Sequence, residues 1–528
     1  MRKRHEWTLN TLIYGLWLLF VLGTAVYTDF CEVELHRLTG RMWLAAGFSA
    51  ALAPLILKAV RAWKPRTRSI GDPLSPWLFR GICFGCSLLI LGFCFLAVNP
   101  GGFEGDPASQ MEQVLSGNYN DYYPAAHTFL ALWLPMALTG GWFPSVILFQ
   151  ILLFSAALTY LCDTVRRYAN TLWALVSLAV ILLNPITQSY LMYGYKDETF
   201  GICAMMLACM NARIYFSRGK WLKNPFRLAA FAALLAVISL VRHNGFLFAI
   251  PCAVGAALCV SRRRAAALAG AALVIFAGVR GPLYSAVGVQ KGEDHSSQTM
   301  GLPMSVIGGA VKYRPERLDG DLLAFAYEVA PKEVWEENYT WGVYNWVDWD
   351  PRTHKEVVAQ AGFAQVLGRM AAAIREAPKE TLKALVETTS IAYGIFPDHL
   401  VDGGVYLGQQ NLGLEDHGIP WMREVMDQYR RLMYFLAPHS FLHSGVTILL
   451  LLTVLLARHS LLRKESWLRI VPVLSLLCYN LVTMLVLYSW WDGARFFHYS
   501  IWVAPALLVL LTGRREEEGT AAEPRGAE

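Results

Sequence analysis

The sequence predicts an all-α polytopic membrane protein with about 12 transmembrane helices, and three observations carry that reading. Only 16% of its 528 residues are charged and 55% are hydrophobic, giving a mean hydropathy of +0.37; soluble domains carry about 25% charged residues. Apolar runs of roughly eighteen or more residues recur along the chain, and in lipid a run of that length satisfies its backbone only as a helix. The loops between the runs alternate between basic and nearly uncharged. A transmembrane barrel would show alternating segments of about 10 residues instead.

The expected spans are 8–27, 42–58, 77–98, 143–161, 171–190, 198–216, 227–242, 245–260, 264–283, 441–457, 467–489 and 498–512. Each lies near the roughly 20 residues that a bilayer requires. The run FLALWLPMALTG at 129–140 is too short to join them and reads as re-entrant or interfacial. The chain then divides into 1–76, two spans with a basic loop; 77–283, a core with a polar loop at 99–128; and 284–440, an insertion. It ends with three spans in 441–512 and a polar tail, 513–528. Helical periodicity at 355–376 and 379–393 makes the insertion helix-rich.

Orientation follows from the basic loops. Arg2, Lys3 and Arg4 are followed by Lys58, Arg61, Lys64, Arg66 and Arg68, then by Arg166 and Arg167. The series continues with Arg218, Lys220 and Lys223, then Arg262, Arg263 and Arg264, then Arg458, Arg463 and Lys464, and closes on Arg514 and Arg515. By the positive-inside rule these loops are cytoplasmic. The expectation is a multi-pass protein of the cell membrane with both termini cytoplasmic. The net charge of +6 is thus a topology signal and gives no reason to expect a nucleic-acid partner. The ten cysteines are scattered, and the Cys83-x-x-Cys86 pair sits alone in an apolar run, so neither a disulfide framework nor a zinc site is expected.

The opposite face, extracytoplasmic in this reading, collects the polar groups. It holds the loop GGFEGDPASQMEQVLSGNYNDYYPAAHT (101–128), YGYKDE (193–198), RHNG (242–245), WWDGARFFHY (490–499) and the insertion. Asp106 before Pro107 reads as a helix N-cap. The same carboxylate, with Gln110 and Gln113 on one helical face, also suits acid–base chemistry. Lys196, Asp197 and Glu198 open a span, Arg242 and His243 close one, Arg280 lies near the outer end of another, and Arg495 opens the last. Helix dipoles and snorkelling account for each singly. Together, four cations at one membrane face make a site for a lipid-linked phosphate. The segment 335–354, with four Trp and two Tyr, reads as the core of a small domain or as a stacking surface for sugars. Asp348, Asp350 and His354 follow no metal-ligand spacing. Span interiors contain essentially no ionisable residues, which weighs against an ion-coupled transporter.

In order and sidedness these motifs resemble the GT-C superfamily of integral membrane glycosyltransferases, particularly bacterial polyprenyl-phosphate-sugar-dependent types. The likeness rests on Asp106-Pro-Ala-Ser-Gln110, Pro124-Ala-Ala-His127-Thr128, Lys196-Asp197, Arg242-His-Asn-Gly245 and the run from Arg495 to Pro505. It covers about half the chain, roughly 77–283 and 441–512. The resemblance implies a GT-C-like fold and transfer of a sugar from a polyprenyl-phosphate carrier to an acceptor hydroxyl, with inversion. It implies Asp106 as general base, with a modestly raised pKa, and Lys196, Arg242 and Arg495 as donor-phosphate ligands, to which the loop reading adds Arg280. Gln110, Asp121, His127, Asp197 and His243 are the candidates for orienting sugar or acceptor. Two extra spans precede the acidic loop and the polar domain precedes the last three spans, both departures from the family pattern. Asn120-Asp-Tyr-Tyr123 stands where a second acidic or His-rich cluster is usual, which leaves a divalent cation, Mg or Mn, open. The expected partners are the lipid donor, membrane lipid and a glycan, protein or lipid acceptor. The competing functions are a lipid-linked saccharide transporter or flippase and a non-catalytic cell-envelope assembly protein.

Overall fold

The computed structural model describes residues 2–30, 35–63, 74–292, 297–395, 412–436, 444–487 and 495–513. Among them the chain is an all-α polytopic membrane protein, with no strand and three isolated bridges. Residues 490–494 of the expected WWDGARFFHY loop, Cys31 and the polar tail after Gly513 lie outside the described residues.

Nine described helices are long and apolar enough to cross a membrane. Eight match expected spans: Arg4–Val26, Gly40–Ala62, Pro76–Val98, Pro144–Tyr168, Lys196–Phe216, Arg262–Val287, Lys464–Met484 and Arg495–Thr512. The other four expected spans are shorter helices, Thr171–Leu182, Pro225–Val241, Phe246–Ala257 and Ser444–Arg458. The ninth long helix, Lys355–Glu376, belongs to the insertion and is broken at Gly362, where φ is 70° and ψ is 162°. Its Val358, Val366 and Ala373 pack with Met304, Trp335 and Tyr339 in a core of the insertion's own.

The expected span 171–190 is not one helix. It stops at Leu182 and restarts over Pro185–Tyr190. The Asn184 side chain accepts from the backbone N–H of Ile186 at 2.9 Å, and Pro185 sits in the first turn of the new helix. That is a helix start, and Asn-Pro was its sequence signal. Residues 129–138 of the 129–140 run belong to Ala125–Leu138, whose middle, Thr128–Trp133, is π-helical, and the run ends in a turn.

Polar groups segregate to two ends of the bundle. At one, Asp163 accepts from Arg80 at 3.0 Å and Arg213 at 2.7 Å, Arg463 binds Glu6 at 2.7 Å, and Arg469 donates to Tyr215 at 2.6 Å. Arg213 and Lys196 lie on the same helix, seventeen residues or about 26 Å apart along its axis. Of these groups Arg463 comes from a loop expected to be cytoplasmic, and it lies at the end opposite Lys196. Between the ends lies an apolar core that includes Phe79, Phe154, Phe200 and Trp502.

Candidate functional site

Two backbone contacts place the acidic loop. Gly102 N–H donates to the Met192 carbonyl at 2.7 Å, and Gly194 N–H to the Gly102 carbonyl at 3.4 Å. Position 102 requires glycine, because a Cβ there would sit 2.2 Å from the Tyr193 ring. Gln150 on a neighbouring helix pins the same segment, its amide donating to the carbonyls of Leu191 at 2.9 Å and Tyr193 at 2.8 Å. Farther along, Gln290 N–H donates to the Tyr119 carbonyl at 2.9 Å, and Asp121 N–H to the Gln290 carbonyl at 3.0 Å. The loop is thus tied at both ends, to the start of Lys196–Phe216 and to the strap after Arg262–Val287.

Asp106 is not the N-cap that its Pro neighbour suggested. Gly105, at φ +63°, occupies the cap position, and Asp106 is the first residue of the helix Asp106–Ser116. No side-chain hydrogen bond from the cap position closes this helix start. Its Oδ2 is ion-paired with Lys196 and lies 3.4 Å from Arg495 Nη1. Burial opposes ionisation of this carboxyl, but Lys196, Arg495 and Arg242 outweigh it and hold the group well below the usual carboxylate range. This corrects the expected modest rise.

The cations are braced by aromatic rings and by acids behind them. Lys196 Nζ lies 4.9 Å from the Tyr123 ring centre, and the Arg495 guanidinium 5.0 Å from Tyr195 and 4.9 Å from Phe496. Asp197, 1% exposed, is ion-paired with Arg242 and lies 3.9 Å from Arg495 Nε. Arg242 Nε donates to Asn244 at 2.9 Å, and Asn244 donates to Thr483 at 2.8 Å. Below them, His498 Nε2 lies 2.8 Å from Glu198 Oε2, and its Nδ1 donates to the Arg495 carbonyl at 2.8 Å.

Lys196, Arg242, Arg495 and Asp106 line a cavity of about 1590 Å³. Asp106, Asp121, Lys196, Arg242, His243, Arg280 and Arg495 all contribute to its wall, so seven expected site residues converge there. Three do not reach it. Asp197 lies behind the wall as a counter-ion, while Gln110 and His127 are fully buried and bonded to each other, Gln110 Oε1 to His127 Nδ1 at 3.2 Å. Gln110 also donates to Thr128 at 2.8 Å, so its oxygen faces the imidazole and His127 Nδ1 carries the proton. Burial pushes His127 down to about 3, which keeps it neutral. Sequence reasoning missed Tyr123, the Glu198–His498 pair and Asn345, and it offered the 335–354 segment as a sugar-stacking surface without singling out Trp349; all of these line or support the cavity.

Five basic side chains line the wall, Lys196, Arg242, Arg280, Lys291 and Arg495, against three carboxylates, Asp106, Asp121 and Asp348. Each of those carboxylates is already engaged by a cation: Asp106 by Lys196, Asp121 by Arg280 at 3.5 Å and Asp348 by Lys355 at 3.1 Å. The excess suits an anion. It does not fit Mg or Mn, which ask for several free oxygen ligands. Among the described residues no three His, Cys, Asp or Glu side chains gather as metal ligands. Asp348, Asp350 and His354 go separate ways, Asp350 to Arg352 at 2.8 Å and His354 to Glu356 at 3.2 Å. The 335–354 segment is divided too, with Trp335 and Tyr339 in the core and Trp346 and Trp349 exposed.

Compared with known protein families, curated proteins and solved structures, the chain matches none.

Proposed function

We propose that the chain is a membrane glycosyltransferase of GT-C type, about 12 spans in all, that takes a sugar from a polyprenyl-phosphate carrier on the extracytoplasmic face. The observation that carries this reading is a carboxylate, Asp106, set among Lys196, Arg242 and Arg495 at the wall of one large cavity. A carboxylate base that accepts a proton and cations that receive a leaving phosphate are the two things the reaction needs.

In this reaction the acceptor oxygen bonds to the anomeric carbon and gives its proton to Asp106. The bond from that carbon to the phosphate oxygen breaks, and the electron pair leaves with polyprenyl phosphate. Lys196, Arg242 and Arg495 stabilise the charge that grows on the leaving group, so they act on the rate and not only on binding. Asp106 in its ion-paired state is a poor base. The donor's phosphate competes for the same cations, and as it draws Lys196 and Arg495 away the carboxylate regains basicity. Arg280, half exposed and paired with Asp121, lies farther out and helps capture the donor.

The test uses membranes containing the full chain and a panel of polyprenyl-phosphate sugars, each radiolabelled in the sugar. Conversion of one of them to polyprenyl phosphate and a glycosylated product is the expected result. Membranes that leave every hexose and pentose donor intact overturn the reading.

A further inference from the structure

The cavity is larger than a sugar phosphate requires. Pockets for one small ligand occupy roughly 300–1,000 Å³, and this one is about 1590 Å³. The surplus borders a second kind of surface. Asn345, Asp348 and Trp349, from the helix Asn345–Asp348 and the residue after it, contribute to the wall.

The chemistry of this rim differs from that of the cation cluster. Trp349 is 53% exposed, and its ring meets that of Trp346 at 88° with centres 5.3 Å apart, so the two indoles do not stack face to face. Asn345 is only 2% exposed, yet its Oδ1 accepts no hydrogen bond among the described residues. A buried acceptor without a hydrogen bond is costly and calls for a partner. Lys355, the cation beside the rim, is held by Asp348 at 3.1 Å. The rim therefore offers an indole, an amide oxygen and a carboxylate, with no free positive charge of its own. That combination suits a ring with hydroxyl donors on its edge and C–H groups on its face, which an electron-rich indole attracts.

We propose that the Asn345–Trp349 rim is the acceptor subsite and that the acceptor is a carbohydrate. This rests on the glycosyl-transfer reading above. The carbohydrate hydroxyl that attacks loses its proton to Asp106, while its neighbouring hydroxyls donate to Asn345 and Asp348. Trp349 supplies the stacking face.

The experiment measures two products from the labelled polyprenyl-phosphate sugar in membranes: label joined to the endogenous acceptor, and free sugar released to water. Trp349→Ala is expected to lower the ratio of transfer to release at least tenfold, and Trp349→Phe to restore most of it. The transferred label is expected in material that glycosidases degrade and proteases do not. An unchanged ratio in Trp349→Ala, or label in protein or phospholipid, overturns the inference while leaving the donor reading standing. Failure of the wild type to consume any donor, with Lys196→Ala behaving identically, removes both.

Discussion

Asp106 and Lys196 lie 90 residues apart in the chain and are ion-paired at the cavity wall. The backbone contact between Gly102 and Met192 brings their helices' first turns together. One cation therefore serves both the resting carboxylate and, in the proposed reaction, the donor phosphate. In the proposed reaction the partners neutralise each other until the donor phosphate separates them.

Removal of Lys196 tests the second of these roles. A charge-assisted hydrogen bond is worth about 1.5–3 kcal/mol, so Lys196→Ala should lower kcat/KM for the donor roughly 10- to 100-fold, with partial recovery in Lys196→Arg. Arg280→Ala should cost less than about fivefold, because its half-exposed pair with Asp121 is screened by solvent. Initial rates across donor concentrations separate the two. Equal losses in both variants would contradict the arrangement.

The pH profile follows from the same pair. Asp106 must be ionised to accept a proton, so activity is lost as pH falls through its pKa. In the free protein the surrounding cations hold that pKa low. Once phosphate occupies them, it returns toward the usual value of about 3.9. The acid limb of kcat should therefore lie at higher pH than that of kcat/KM. Stability carries the same sign: the contribution of Asp106 is present above its unfolded pKa and is lost as pH falls through the folded one. Coincident limbs would mean that the donor does not displace the cations.

His498 holds the backbone of Arg495 from below, and Glu198 holds His498. Both are buried, and the second oxygen of Glu198 accepts no hydrogen bond among the described residues. His498→Ala strands that carboxylate and should destabilise the protein by about 3–5 kcal/mol. Glu198→Gln keeps a polar partner for the imidazole and should cost less. Thermal unfolding in detergent compares them, and an unaltered midpoint for His498→Ala would show that the pair is not structural.

Sidedness can be read by cysteine labelling. Glu104 and Lys220 are both exposed, the first in the acidic loop and the second in a loop expected to be cytoplasmic. A membrane-impermeant maleimide should label Glu104→Cys on intact cells and Lys220→Cys only after permeabilisation. The reverse pattern would invert the proposed orientation.

The sequence was most legible where physics is local. Hydropathy located eight of the long helices, because an apolar run in lipid has one way to satisfy its backbone. Of the cations in the alternating basic loops, Arg463 pairs with Glu6 and Arg458 donates to the Val60 carbonyl at 3.3 Å, away from the cavity. The convergence of Asp106, Lys196, Arg242 and Arg495 was legible as shared sidedness, but their pairing was not. It depends on a two-residue backbone contact at Gly102 that leaves no periodic trace. Nor could spacing reveal that Gln110 turns inward to His127, since both faces of this eleven-residue helix mix polar with apolar residues, Gln110 and Met111 buried and Glu112 and Leu115 exposed. The break at Asn184-Pro185 was written in the chain and was overridden by the hydropathy of its flanks. The Trp-rich 335–354 stretch was legible as a stacking candidate, but which of its rings face the cavity is set by the insertion's own core, where Tyr344 and Val347 are buried.

The central claim is that Asp106 is the base and not a binding residue. Asp106→Asn keeps the shape and removes the charge, leaving Lys196 and Arg495 available to phosphate. Transfer from the labelled polyprenyl-phosphate sugar, measured with wild-type and variant membranes, should fall by about 100-fold or more in kcat while the donor KM stays level or drops. Transfer at the wild-type rate, or a raised KM with kcat intact, would contradict the account.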